Sequence, residues 1–500
     1  MAFLKDIFII SKIAKSFFYQ YINTLEPTPV WSNFSKFNAV PRPSKKEERV
    51  ISFMLEFGNK LGLETFSDEI GNVIIRKPAT KGMENKKMIT LQSHLDMVHQ
   101  KNADTIFNFD TQGIEMFIDE DWVKAKGTTL GADNGMGVAA IMALLESDSI
   151  SHPALEALFT IDEETGMTGA FELKAGVLKG EILLNLDTEE DDEIDIGCAG
   201  GIDVTATRKY NEKDGSHGDA GIEITVKGLT GGHSGMDIHR GRGNANKIMN
   251  RLLFLGLDYN VRISSLNGGS LRNAIPRESV CKLNVGRKHA DKFMKKVNKL
   301  SEQIKAELSV QEPNLIIELT DVKPAKKVMG LGAQEKFIKA VYAAHNGVYA
   351  MSGAIDDLVE TSNNVAKVEV ENGKISVGCL TRSSVDTAKL DLANSLRSAF
   401  ELSGFDVEFS GAYPGWNPNP NSEILTIVKN TYTDLFKEEP RVVACHAGLE
   451  CGILGQNYPD IDMVSFGPTI LGAHSPDERV SISSVQKFWN LLLEILKNTN

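Results

Sequence analysis

The amino-acid sequence predicts an α/β fold in which both ends of the chain build one domain around a sheet, and a long middle segment forms an inserted α+β domain. Three observations predict it. Helical and strand patterns alternate from Thr28 onward. Polar clusters of acidic residues with histidine crowd the first 200 residues, recur near the C-terminus and disappear between about Gly201 and Ala412. Within that middle segment, two stretches repeat the order strand, basic residue, helix, strand. At 500 residues the chain also exceeds what one hydrophobic core serves. The expected division is residues 1–26 as a leader, 27–200 and 413–500 as the two parts of the sheet domain, and 201–412 as the insert.

The leader FLKDIFIISKIAKSFFYQYI is apolar but interrupted by Lys5, Lys12 and Lys15. It is too short for a membrane span, and no small-residue cleavage site follows it. Leu4, Phe8, Ala14, Phe17 and Tyr21 fit one face of an amphipathic helix packed on protein or on a membrane surface; an upstream start that adds a nonessential leader is the other reading. KKEERVISFMLEFGNKLG then reads as a helix, NVIIRKP and KMITLQSHLD as strands, and GVAAIMALLES as a helix. The short apolar runs LEALFTID and EILLNLD each stop at acidic residues, which places those carboxylates at the rim of a sheet, where open α/β folds bind ligands. In the middle, VCKLNVGRKHADKFMKKVNKLSEQIKAEL leading to LIIELTDV matches KISVGCLTRSSVDTAKLDLANSLRSAFE leading to DVEFSGAY in element order, which suggests a duplicated ferredoxin-like unit. PGWNPNPN closes the insert.

Composition removes several function classes. The chain is 42% hydrophobic and 24% charged, with a net charge of -13. Such a net charge opposes a sequence-independent grip on nucleic acid, which needs dense Lys and Arg to neutralise phosphate. Cys198, Cys281, Cys379, Cys445 and Cys451 are odd in number and scattered, which fits reduced thiols in the cytoplasm rather than a disulfide framework.

The chemistry sits in SHLDMV, GTTLGADNGMG, TIDEETGMTGA, LLNLDTEE and GPTILGAHSPDE. In an extended H-x-D, His94 and Asp96 share a face, so one can bind metal while the other orients it. Asp133 in GADNG lies on a glycine-rich turn, from which a carboxylate can bridge two cations. Adjacent Glu163 and Glu164 point opposite ways if extended, so that one can ligate and one can handle protons. With Asp187 and His474 these residues supply the mixed nitrogen and oxygen ligands that suit two Zn²⁺ ions sharing a bridge. Taken singly, each is more often a capping or hydrogen-bonding group than a ligand.

Jointly, GNVIIRKPAT, LQSHLDMV, GTTLGADNGMG, EETGMTGAF, GCAGGID, GGHSG, LRNAIPRE, GAYPGW, HAGLECG and DMVSFGPT resemble the bacterial aminoacyl-histidine dipeptidase family, cytosol nonspecific and carnosinase-like di-zinc peptidases, from about Thr28 to the C-terminus. The resemblance implies a mixed-sheet catalytic domain with the insert as a lid. It implies that His94 and Asp187 hold one Zn²⁺, Glu164 and His474 the other, and Asp133 both, with Co²⁺ or Mn²⁺ able to stand in. Asp96 would orient His94, and Glu163 would act as general base on a water bridging the metals. His233 of GGHSG would stabilise the oxyanion. Asn273 and Arg382 would bind the substrate's carbonyl and C-terminal carboxylate, and His446 and Glu450 would line the pocket near its amino end.

The implied activity is hydrolysis of unblocked dipeptides, Xaa-His such as β-alanyl-histidine and broader ones. The same metal centre would also serve a deacylase of N-acyl amino acids, and a non-catalytic descendant would have lost ligands that are all present here. No nucleic acid and no stable membrane span are expected as partners, and a homodimer stays open.

Overall fold

The computed structural model describes residues 22–499. The amphipathic pattern of the leader, up to Tyr21, lies outside the described residues. The chain divides into two compact units. Among the described residues, one holds 22–196, Asn419–Val443 and 453–499; the other holds Gly197–Pro418 and Ala444–Gly452. The second unit therefore takes in Ala444–Gly452, which the sequence reading leaves with the C-terminal part of the sheet domain.

In the first unit, six strands of a mixed sheet run in the order Glu64–Ser67, Val73–Lys77, Leu155–Thr160, Ile89–His94, Ile182–Asn185, Asp462–Ser465. Ile89–His94 is parallel to both of its neighbours, with His94 opposite Thr160 and Gln92 opposite Asn185. Ile182–Asn185 is parallel to Asp462–Ser465, while Val73–Lys77 pairs antiparallel on both sides. Every residue of Ile89–His94, Leu155–Thr160 and Ile182–Asn185 is buried. That explains why LEALFT and ILLN read as short apolar runs rather than alternating ones, while the polar residues of ITLQSH are buried as well. The helix Ala132–Glu146 is apolar all round and almost wholly buried, as a helix covered on every side must be. Because three adjacent parallel strands end at the same edge, the chain leaves that edge at Leu95, Ile161 and Leu186, each followed at once by acidic residues.

The second unit is an antiparallel sheet in the order Ile316–Val322, Asp219–Lys227, Ser279–Gly286, Arg262–Gly268, Val359–Glu371, Lys374–Ser383, Gly200–Lys209, Asp406–Tyr413. Numbered along the chain within each group of four, both halves read 4-1-3-2 from their outer edge. In the first half, the helices Ala245–Gly256 and Arg287–Glu307 follow the first and third strands; in the second, Leu331–Ala343 and Asp386–Leu402 take those places. Each half is thus a β-α-β-β-α-β ferredoxin-like unit. The first is inserted after the opening strand of the second, and the two join where Leu266 faces Val370 and Gly268 faces Val368. The two stretches with repeated order are the third strand, second helix and fourth strand of each half. Alongside element order the burial pattern repeats: Arg287–Glu307 buries Ala290, Phe293, Val297, Ser301 and Ile304, and Asp386–Leu402 buries Lys389, Leu392, Ala393, Leu396 and Phe400, each one face at helical spacing.

Among the described residues no helix is long and apolar enough to cross a membrane.

The packing of the second unit predicts a contrast on one helix. Phe293 is fully buried in its core, whereas Lys296 is exposed. Phe293→Ala should cost about 3–5 kcal/mol and Lys296→Ala under about 0.5 kcal/mol, read from urea unfolding followed by circular dichroism.

Candidate metal centre

The three strand ends of the first unit deliver most of the centre. His94 is the last residue of its strand; Asp96 lies beyond a bend, outside the strand in which the H-x-D argument put it. The two still face each other, with His94 Nδ1 3.4 Å from Asp96 Oδ1. The shorter contacts of Asp96 are with backbone: its Oδ1 accepts from the Glu163 N–H at 3.0 Å and its Oδ2 from the Glu164 N–H at 3.3 Å. One buried carboxylate therefore braces both the histidine and the acidic turn.

That turn corrects the sequence argument. Glu163–Gly166 is helical, not extended, so the two glutamates are not on opposite faces of a strand. Successive helical residues diverge by about 100°, and this, rather than strand alternation, separates them. The cause is Asp162, held left-handed at φ 53° and ψ 38°. Its carboxylate accepts from the Thr165 and Thr168 hydroxyls and folds the chain back on itself.

Asp133 opens the helix Ala132–Glu146 with non-helical φ -80° and ψ 109°. Its two oxygens face different histidines: Oδ1 is 3.1 Å from His94 Nε2 and Oδ2 is 3.2 Å from His474 Nε2. Each imidazole has a second carboxylate. Asp187 Oδ1 lies 3.5 Å from His94 Nε2, and Glu164 Oε2 lies 2.9 Å from His474 Nε2. Asn134 donates its side-chain amide to the Leu186 carbonyl at 2.9 Å and to Asp187, fixing that carboxylate. The loop residue His474 is itself left-handed, at φ 64°.

The residues fit divalent cations on two counts. Ligands about 2.0–2.1 Å from a tetrahedral Zn²⁺ sit roughly 3.3 Å from one another, and the histidine–carboxylate separations here run from 2.9 to 3.5 Å. Glu164 Oε1 is fully buried and accepts no hydrogen bond. An anionic oxygen in that position is costly unless a cation faces it. Ligand atoms of His94, Asp133 and Glu164 lie within 4.8 Å of one another. A second buried trio, Glu47, Asp96 and Asp162, has its oxygens engaged by backbone and hydroxyl donors.

The electrostatics follow from the crowding of acids. Hydrogen bonds to Asp133 and Glu164 push His474 up to about 11. Burial opposes charge on His94, yet Asp187, Asp133 and Asp96 outweigh it and hold that ring well above the usual histidine range. Burial likewise opposes charge on Asp133, but the two imidazoles hold it well below the carboxylate range. Glu164 and Asp187 are raised, chiefly by burial. The nitrogens that carry protons here are those a cation would take, so metal binding displaces protons.

The second unit gathers His233, Arg382 and His446. His233 Nδ1 accepts from the N–H groups of Gly235 and Met236 at 3.2 and 3.0 Å, which assigns the proton of the neutral ring to Nε2. Arg382 is buried; it donates to the Tyr413 hydroxyl at 2.8 Å and to Ser234 Oγ at 3.4 Å, and its Nη2 is 3.5 Å from His233 Nε2. A Cβ on Gly235 would meet the His446 carbonyl oxygen at 1.9 Å, so only glycine lets these segments approach. His446 Nε2 is 2.8 Å from Ser362 Oγ, and burial, then Arg382, His233 and His239, lowers it to about 3. Glu450 is 1% exposed at the start of the helix Glu450–Asn457. The Asn273 side chain is exposed; its carbonyl accepts from the Ser234 N–H at 2.7 Å and anchors the GGHSG turn.

Sequence reasoning missed Glu478 and Arg42. Glu478 accepts from the N–H groups of Leu130, Gly131, Ala132 and Asp133 at 2.7, 2.9, 2.7 and 3.3 Å. Arg42 donates to the carbonyls of Leu95, Asp96 and Gly131. The one signal for Glu478 was its place in the SPDE run after His474.

Several known proteins resemble this chain over most of its length. The model of peptidase family M20/M25/M40 matches residues 90–498. The cytosol non-specific dipeptidase of Escherichia coli is 44% identical over 477 residues, 95% of this chain and 98% of that protein. The crystal structure of aminoacylhistidine dipeptidase from Vibrio alginolyticus superposes with a TM-score of 0.90 at 45% identity, covering 97% of this chain and 99% of that one. Aminopeptidase PepT from Bacillus cereus shares the fold at a TM-score of 0.57 and 16% identity, over 95% and 99% of the two chains.

The lowered His446 has a consequence for stability. An unfolded chain protonates its histidines near their usual value of about 6.5, whereas the folded chain refuses this proton down to about 3. Stability tied to His446 is therefore full above about pH 7 and lost as pH falls through that window, by at most about 1.4 kcal/mol per pH unit. Between pH 7.5 and 5.5, wild-type should lose about 1 kcal/mol more unfolding free energy than His446→Gln in urea titrations.

Proposed function

The chain belongs to peptidase family M20/M25/M40 and is a dipeptidase of it, and we propose that it cleaves unblocked dipeptides in the cytoplasm with two Zn²⁺ ions. His94 and Asp187 would hold one ion and Glu164 and His474 the other, with Asp133 placed to serve both. The observation that carries this is the split of the Asp133 carboxylate between two imidazoles, each of which has its own second carboxylate. When bound, the two cations polarise the scissile carbonyl and make water more acidic.

The remaining steps fall to the chain's side chains. Glu163 takes the proton of the attacking water and returns it to the leaving amine. Asp96 fixes that base through the Glu163 backbone N–H and aligns His94. His233, whose contacts leave its proton on Nε2, donates to the oxyanion as it develops. Arg382 is a buried guanidinium held by neutral hydroxyls, which leaves its charge for the substrate's C-terminal carboxylate. Asn273 meets the substrate carbonyl, and His446 and Glu450 line the pocket near its amino end. Xaa-His dipeptides such as β-alanyl-histidine are among the substrates.

The test couples metal content to turnover on a dipeptide panel. The purified protein should carry close to two zinc equivalents, lose activity to a chelator and regain it with Zn²⁺, Co²⁺ or Mn²⁺. Glu163→Gln should keep its zinc and lose about 10²–10⁴ in rate. Glu164→Ala should lose rate in step with loss of one ion. Undiminished hydrolysis after verified metal removal contradicts the reading, and zinc loss in Glu163→Gln with retention in Glu164→Ala reverses the two roles.

The carboxylate role of Arg382 predicts discrimination at the substrate's C-terminus. Wild-type should strongly prefer a free dipeptide to its C-terminal amide, and Arg382→Ala should lose most of that preference through a raised KM. Equal rates on acid and amide in wild-type contradict the assignment.

A further inference from the structure

Glu478 and Arg42 lie in the first unit, are 2% and 1% exposed, and ligate nothing in the reading above. Both are spent chiefly on backbone. The four N–H groups from Leu130 to Asp133 open the helix that carries Asp133, and the single Glu478 carboxylate accepts from all four. Glu478 stands four residues after His474 in a loop closed by the Ser475 N–H to the Gly472 carbonyl and the Glu478 N–H to the Ser475 carbonyl. Through one side chain, the loop of His474 is indexed to the turn of Asp133.

Arg42 makes the corresponding link on the other side. Its Nη1 donates to the carbonyls of Leu95 at 3.2 Å and Asp96 at 2.8 Å, the two residues after His94. Its Nη2 donates to the Gly131 carbonyl at 2.6 Å and to Asn38 Oδ1 at 2.9 Å, while its guanidinium lies 4.3 Å from the Phe37 ring centroid. The peptide groups flanking Gly131 are thus gripped from both sides, N–H by Glu478 and C=O by Arg42. A Cβ at Gly131 would lie 2.5 Å from Arg42 Nη2, and its φ is 69°, so glycine alone fits the grip.

We propose that Arg42 and Glu478 are positioning residues that set the two halves of the metal centre separately, Arg42 registering His94 and Glu478 registering His474 against the two oxygens of Asp133. The inference rests on the two-metal reading above. Buried backbone groups must be paired, and three segments without regular pairing meet here. A charged fork and a carboxylate satisfy several groups at once, at fixed spacing, where neutral side chains would satisfy one or two. A positioning role of this kind is typically worth 10–100-fold in metal affinity.

The experiment is a competition titration of zinc against a chromophoric chelator on the full-length apoprotein, resolving two stepwise affinities, with far-UV circular dichroism on each variant. Wild-type should bind two ions; if it does not, the two-metal reading falls and this proposal with it. If it does, Glu478→Gln, whose amide nitrogen cannot accept, should keep one affinity and weaken the other by about 10–100-fold. Arg42→Lys should likewise weaken one ion only, and the double variant should weaken both. Both affinities within threefold of wild-type in a folded variant overturn the proposal, as does an equal fall of both that tracks loss of secondary structure. If Glu478→Gln does not fold, Arg42→Lys decides the matter by the same criteria.

Discussion

Three carboxylates and two imidazoles crowd within a few ångströms at one edge of the first unit's sheet, the carboxylates and His94 largely buried and the His474 side chain 58% exposed. Asp133, Glu164 and Asp187 repel one another there, and burial raises the cost of charging each. Only positive charge relieves the crowding, and the arrangement of Asp133, one oxygen to His94 and the other to His474, divides that charge into two places. The rest of the unit is organised to keep this arrangement from relaxing. Parallel strands fix where three segments end, Asp96 ties the strand of His94 to the acidic turn, Asn134 holds Asp187, and Arg42 and Glu478 fasten the turn of Asp133 by its backbone. Arg42 also brings a buried positive charge near Asp133 and Glu164.

The sheet was legible in the sequence because buried parallel strands abandon alternation: ILLN and LEALFT are mostly apolar with no alternating pattern, and the acids that follow them mark the rim. The identities of the ligands were legible only through the joint pattern of fragments, since His474 arrives from a loop with no periodicity of its own. What escaped was backbone conformation. Nothing in the letters EETG says that Asp162 turns left-handed and converts an extended pair into a helical one. Arg42 and Glu478 escaped for a related reason: their partners are peptide groups, which every residue has, so no residue type flags the contact.

The second unit shows the complementary case. Its two β-α-β-β-α-β halves share strand order and burial period but little residue identity, because a half-exposed antiparallel sheet under helices constrains polarity rather than shape. Element order therefore revealed the duplication where direct comparison of residues would not. The assignment of Ala444–Gly452 to this unit was hidden, since a short segment's membership depends on contacts distant in sequence. It brings His446 beside Arg382 and the GGHSG turn, where burial keeps the histidine neutral next to a fixed cation.

The central claim, that one carboxylate spans two metal positions, is tested most directly by anomalous diffraction at the zinc edge from crystals of the zinc-loaded protein. The account predicts two peaks flanking Asp133, one bounded by His94 and Asp187 and the other by His474 and Glu164. A single peak, or a pair that does not share Asp133, would contradict it.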